Sequence, residues 1–173
     1  MTNIFSGEGV NITQKNLSQI ILRGKGDGEF AKIINNEVSL LPPSDNLRFI
    51  NNNDFILAKQ SFDQWSLVIM KEISDKEIIK IISNLNNNDE ILASNYSMGQ
   101  IYFEFEGNNK IHFLNKLTHF DLREKKFPIS TMAQTLIARI DCSIYNLNNK
   151  FLIKTNKSFE DYFKDRINDT IDL

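Results

Sequence analysis

The sequence predicts an α+β protein, antiparallel sheet with helices packed on it, built on two copies of a β-α-β-β-α plan. Three observations predict it. Short runs with period-two alternation take turns with runs whose apolar residues recur at i, i+3 and i+4. Clusters of Asn, Gly and Pro separate the runs. The order of elements over residues 18–96 then recurs over residues 100–168, an offset of 82 residues, with negligible identity between the halves, so the repeat is architectural.

The first half begins with a strand at Ser18-Gln19-Ile20-Ile21-Leu22-Arg23 and a turn from Gly24 to Gly28. A helix starting at Asp27 or Gly28 carries Phe30, Ile33 and Ile34 on one face. Leu41-Pro42-Pro43 is expected to stop it, because proline has no N–H and restricts the residue before it. Strands follow near Leu47–Ile50, Phe55–Ala58 and Trp65–Met70. Ser74-Asp75-Lys76-Glu77 has the form of a capping box, and the helix behind it presents Ile78, Ile81, Ile82 and Leu85. Ile91–Tyr96 is the last strand of this half.

The second half opens on Gln100-Ile101-Tyr102-Phe103-Glu104-Phe105-Glu106, alternating polar and apolar, with Glu104 and Glu106 expected on the solvent side. Gly107-Asn108-Asn109 leads into a helix with Ile111, Leu114 and Leu117 inside. Beyond Phe127-Pro128 come strands at Met132–Arg139 and Ile140–Leu147, then a hairpin through Asn148-Asn149 into Phe151–Lys154. Ser158 is expected to cap a last helix bearing Phe159, Tyr162, Phe163 and Ile167.

Composition bounds the function. The 173 residues are 41% hydrophobic and include 13 Phe, enough for the core of one domain over residues 16–173, with residues 1–15 as a flexible leader. Twenty Lys+Arg against 22 Asp+Glu give a net charge of −2, which argues against a nucleic-acid or membrane partner. One cysteine cannot form an internal disulfide, and two histidines do not suggest a His-rich metal site. No uncharged apolar run approaches the roughly 18 residues of a membrane span, and the N-terminus lacks the basic and apolar regions of a signal peptide. A cytoplasmic protein is expected. The 22 Asn and 24 Ile reflect AT-rich codons of a low-GC bacterial genome, and the Asn clusters at 51–53, 86–88 and 148–149 read as turns.

Few residues invite a chemical reading. Gly24-Lys25-Gly26-Asp27-Gly28 lies between strand and helix, as phosphate loops do, but its third glycine comes one residue too early for a dinucleotide fingerprint. Lys25 is also misplaced for a Walker loop, so the segment reads as a turn. His112 and His119, seven apart, stand two helical turns from each other, too far to share a metal. A relay of Cys142, His119 and Asp121 finds no support in spacing. Arg123 with Lys125-Lys126 reads as a solvated basic spot. No catalytic, cofactor-binding or metal-ligating residue is assigned.

More particular is the stretch from His112 to Asp165: Phe113-Leu114-Asn115-Lys116-Leu117-Thr118-His119-Phe120-Asp121-Leu122, Phe127-Pro128, Thr131-Met132-Ala133-Gln134-Thr135-Leu136-Ile137-Ala138-Arg139, and Lys157-Ser158-Phe159-Glu160-Asp161-Tyr162. This order resembles the gamma subunit family of heterotetrameric sarcosine oxidase. Ile20-Ile21-Leu22-Arg23-Gly24, Leu41-Pro42 and Asp63-Gln64-Trp65-Ser66-Leu67-Val68 are similar to earlier pieces of that family, so the resemblance covers roughly residues 17–168. It implies one domain of two intertwined ferredoxin-like (β-α-β-β-α-β) halves, similar in fold to the folate-binding domain of the glycine-cleavage T-protein. It also implies a non-catalytic structural subunit without a cofactor of its own. In such a complex sarcosine is oxidatively demethylated to glycine with one-carbon transfer to tetrahydrofolate. FAD, FMN, NAD, zinc and tetrahydrofolate would then sit in the partner alpha, beta and delta subunits. Two alternatives are a stand-alone folate-binding or one-carbon-transfer protein, and a gamma-type subunit of a related complex that demethylates N-methyl amino acids.

Overall fold

Two strands open the chain where the sequence suggested a flexible leader. The computed structural model describes residues 2–171. In it β1 (Thr2–Gly7) and β2 (Val10–Lys15) form an antiparallel hairpin. Glu8 and Gly9 turn it with φ of 51° and 75°, the left-handed pair that suits a tight hairpin. The leader expected over residues 1–15 is therefore corrected: Val10 and Ile12 alternate into a core, and burying them ties the segment down. The expected single domain over 16–173 is also divided differently. One compact unit is Leu17–Met98, and the other joins the N-terminal hairpin to the residues from Gly99 onward.

The unit Leu17–Met98 contains β3 (Ser18–Arg23), α1 (Gly28–Val38), β4 (Phe49–Asn51), β5 (Phe55–Lys59), β6 (Gln64–Ile69), α2 (Asp75–Leu85) and β7 (Leu92–Asn95). Its sheet runs β4-β5-β6-β3-β7, every neighbour antiparallel. Ile20, Leu22, Trp65, Leu67 and Leu57 on one face meet Phe30 and Ile34 of α1 and Ile78 and Leu85 of α2. Helix α1 ends before the prolines reach it. Ser39 adopts φ 57° and its N–H bonds to Asn35 O, a left-handed cap, so Leu41-Pro42-Pro43 follows the stop and does not cause it. The capping box at Ser74 and Glu77 forms as expected: the Glu77 amide bonds to Ser74 Oγ and the Ser74 amide to Glu77 Oε2.

The other unit resumes with β8 (Gln100–Glu106), α3 (Lys110–Asn115), β9 (Met132–Ile137), β10 (Ile140–Asn146), β11 (Lys150–Asn156), a short 3-10 turn (Lys157–Phe159) and α4 (Glu160–Ile171). Its antiparallel sheet runs β1-β2-β8-β11-β10-β9. Ile101, Phe103, Phe105, Ile144 and Ile153 face Phe113 and Leu114 of α3 and Phe163 and Ile167 of α4. The last helix is entered differently from expectation. Asn156 accepts the Ser158 amide, so Asn156 holds the entry and Ser158 is the residue held.

The shared plan is now complete in both units. In the first, β7 lies beside β3 and gives the order β7-β3-β6-β5. In the second no strand follows α4 among the described residues, and β2 takes the corresponding place beside β8, giving β2-β8-β11-β10. The chain thus begins one unit, builds the other, and returns to finish the first. No helix among the described residues is long and apolar enough to cross a membrane.

The joint between hairpin and sheet is tight. Gly107 at φ 106° lies so close to the β1–β2 turn that an added Cβ would come 2.2 Å from Gly9 O. Beside it the Asn109 amide bonds to Gly9 O at 3.1 Å and Asn109 Nδ2 to Glu8 O at 2.6 Å. Gly107→Ala is expected to lower the stability of the chain by about 3 kcal/mol, from backbone strain and the clash together. The urea midpoint measures this, and an unchanged midpoint would show that the joint is loose.

Candidate functional site

The glycine turn that invited a phosphate reading is occupied by an indole. Trp65 is fully buried, its Nε1 donates to Gly24 O at 2.9 Å, and its ring packs on Phe30 at 5.3 Å. A Cβ at Gly26 (φ 90°) would fall 2.2 Å from the Trp65 ring. Gly26 is there because tryptophan leaves no room for a side chain, and Gly24 because Phe30 and the Glu90 carbonyl leave none.

The residues of the hypothetical relay keep to separate surroundings. His112 lies exposed on α3, and His119 lies exposed beyond its end. Asp121 pairs with Arg123 at 2.6 Å, and those hydrogen bonds hold its carboxyl down to about 2. Cys142 faces the core, where burial pushes its thiol up to about 11 against weaker help from Thr155 and the Ile137 backbone. No group of three or more His, Cys, Asp or Glu able to hold a metal occurs among the described residues. Arg123, Lys125 and Lys126 are exposed, as read from the sequence.

Glu104 departs from expectation. The sequence places it with Glu106 on the solvent side, yet it is buried and bonded to Lys15 at 3.1 Å and Lys150 at 2.8 Å. Burial raises its pKa, but hydrogen bonds from Lys150 and then Lys15 outweigh this and leave it below the usual glutamate value. Lys15 comes from β2 and Lys150 from β11, so no local sequence signal could show the cluster.

The motifs between His112 and Asp165 converge within the unit that holds β8 to α4. Thr118 Oγ1 donates to Leu136 O at 2.7 Å, and the Ala138 amide to Leu117 O at 2.8 Å. Tyr162 Oη donates to Ala138 O at 3.0 Å, and Asn146 Nδ2 to Phe127 O at 2.8 Å. Ala138 and Arg139 turn β9 into β10 with φ of 54° and 67°. Most of these polar groups hold backbone in place. They shape a cleft of about 460 Å³ ringed by Lys116, His119, Arg139 and Arg166.

A larger trough of about 660 Å³ lies over β8, β9, β10 and β11, and sequence reading gave no sign of it. By register Gln134, Ser143, Lys154 and Tyr102 stand in one row across the four strands. Gln100 and Asn156 pair beyond one side of that row, with Leu136 and Asp141 also lining the trough. Lys154 is only partly exposed, and burial pulls its ammonium down to about 8. The pattern Phe-Leu-Ile-Lys-Thr marks a strand but says nothing about which strands flank its lysine.

Comparison with known proteins follows the fold. A family model described as the sarcosine oxidase gamma subunit family matches residues 23–172. A chain of heterotetrameric sarcosine oxidase from Corynebacterium sp. U-96, in complex with pyrrole 2-carboxylate, superposes with a TM-score of 0.82 at 15% identity, covering 96% of this chain and 86% of that one. Glycine cleavage system aminomethyltransferase T from Bartonella henselae superposes with a TM-score of 0.66 at 11% identity, over 92% of this chain and 45% of that one. This chain therefore spans less than half the length of the aminomethyltransferase. At these identities the likeness is one of fold. No curated protein matches the sequence.

Two outcomes test the geometry. Cys142 is expected to resist iodoacetamide at pH 8 in the folded chain and to react on unfolding in urea, followed by mass spectrometry, because the thiolate is the nucleophile. Glu104→Gln is expected to cost about 2–3 kcal/mol at pH 7, less than a fully buried pair because both lysines reach solvent. The sign with pH follows from a folded pKa below the unfolded one. The stabilisation is fully present above the unfolded value and is lost as pH falls through the folded one. The gap between parent and variant should therefore narrow on acidification through the carboxylate range, in urea melts at stepped pH.

Proposed function

This chain belongs to the sarcosine oxidase gamma subunit family, and from that premise we propose that it is the non-catalytic gamma subunit of a heterotetrameric complex. That complex oxidatively demethylates sarcosine to glycine, with transfer of the one-carbon unit to tetrahydrofolate. Alpha, beta and delta subunits are its partners in the bacterial cytoplasm, and they hold the FAD, FMN, NAD, zinc and folate.

The observation that carries this reading is the use made of the family-like motifs. Thr118 and Tyr162 bond to backbone carbonyls, and the Phe127 carbonyl accepts from Asn146, so these motif residues build a scaffold. A second observation bears on the partner surface. Leu92 on edge strand β7 is 62% exposed, and Tyr96 and Met98, which follow it, are 51% and 87% exposed. Apolar side chains this open beside a free sheet edge suit burial by another chain. The loop at 119–128 suits it less, because Phe127 is buried and Phe120 packs against it edge-on at 5.2 Å.

Co-expression of the tagged chain with the neighbouring flavoprotein subunits, followed by size exclusion, tests the proposal. A high-mass peak that contains the chain and absorbs as flavin is the expected result. A colourless peak at monomer mass, with the flavoproteins elsewhere, would overturn it, and stabilisation of that monomer by tetrahydrofolate would favour the one-carbon-transfer alternative.

A further inference from the structure

The trough over β8–β11 contains a cation that makes no ion pair among the described residues. Six lysines of the described residues are partly buried: Lys15, Lys59, Lys110, Lys150, Lys154 and Lys164. Lys15 and Lys150 bond to Glu104, Lys164 to Glu160, Lys59 to Ser44 O and Lys110 to Gly107 O. Lys154 alone among them has neither hydrogen bond nor ion pair among the described residues. An ammonium withdrawn from water without a partner is costly, and burial already lowers its proton affinity.

The groups around Lys154 are also unused. Ser143, its cross-strand neighbour, is 5% exposed and its hydroxyl makes no hydrogen bond among the described residues, and the same holds for the side-chain amides of Gln100 and Gln134. All four residues line the trough. Asp141, two pairs from Ser143 on β10 toward the β9–β10 turn, also lines the trough but makes no ion pair with Lys154. A volume of about 660 Å³ lies within the range of small-molecule pockets, and a single acidic side chain from a neighbouring protein would leave most of it empty.

We propose that this trough binds a small carboxylate-bearing molecule, with Lys154 and the Ser143 hydroxyl on its carboxylate and the amides of Gln100 and Gln134 on its other polar atoms. The site stands independently of the subunit reading, since it is formed wholly by this chain. Charge-assisted bonds of this kind supply most of the recognition of a carboxylate in a half-buried pocket.

The test is a titration of the full-length chain with succinate and with lactate, read in the backbone amide spectrum, against sodium chloride at matched ionic strength. Saturable shifts confined to β8–β11 around the trough are expected. Lys154→Met should weaken binding about tenfold or more, Lys154→Arg should retain most of it, and Ser143→Ala should weaken it several-fold. Lys154→Met removes an unpaired ammonium, so its melting temperature should equal or exceed that of the parent, which shows separately that the variant folds. Affinity should also fall between pH 7 and 9 as Lys154 loses its proton, because burial keeps the Cys142 thiol up at about 11 and the Tyr102 hydroxyl well above the usual tyrosine value. Three results would overturn the proposal: no saturable shift with either carboxylate at tens of millimolar, shifts reproduced by chloride, or a Lys154→Met variant that binds as the parent does.

Discussion

Strand β2 lies between a hairpin partner made just before it and β8, made after an entire second unit has intervened. This pairing is the constraint on which the unit containing both chain ends depends. Its register sets Ile12 opposite Phe105 and Thr13 opposite Glu104, so Ile12 falls on the core face. A slip of one residue would turn every side chain of β2 over. Lys15 would then leave Glu104, and the Gly9 carbonyl would miss the Asn109 amide. Core, ion pair and turn are three readings of one register, which makes them mutually supporting.

What was legible in the sequence was what is decided locally. Gln100–Glu106, read as alternating, forms a strand with those bounds. Ser74 and Glu77 satisfy each other's backbone within one turn, so the residues alone announce the cap. The Asn clusters turned out to be working punctuation. Asn86 exchanges two hydrogen bonds with Ala93, and Asn52 accepts the amides of Asp54 and Phe55. Here a short amide does what a turn needs, whatever codon bias placed it there.

What stayed hidden is what distant segments decide together. Thr2–Gly7 is largely exposed and has a weak apolar signal, so its place at a sheet edge depends on β2, and that of β2 on β8. Glu104 looks like a solvent-facing residue until strands from both ends of the chain bring a lysine to each side. The trough is harder still to foresee, because its row of Gln134, Ser143, Lys154 and Tyr102 draws one residue from each of four strands. Absence of a motif in the chain therefore said little about whether a pocket would form.

The interrupted order of the unit has a consequence for synthesis. When β2 leaves the ribosome, β8 does not yet exist, and at ordinary translation speeds its partner follows after roughly 4–18 seconds. During that interval the whole unit Leu17–Met98 emerges and can close its own sheet, since all of its strands are contiguous in the chain. The hairpin must wait with one strand edge open, a state that favours pairing with any other extended chain nearby. Lys15 is placed to keep that edge soluble until Glu104 arrives to meet it.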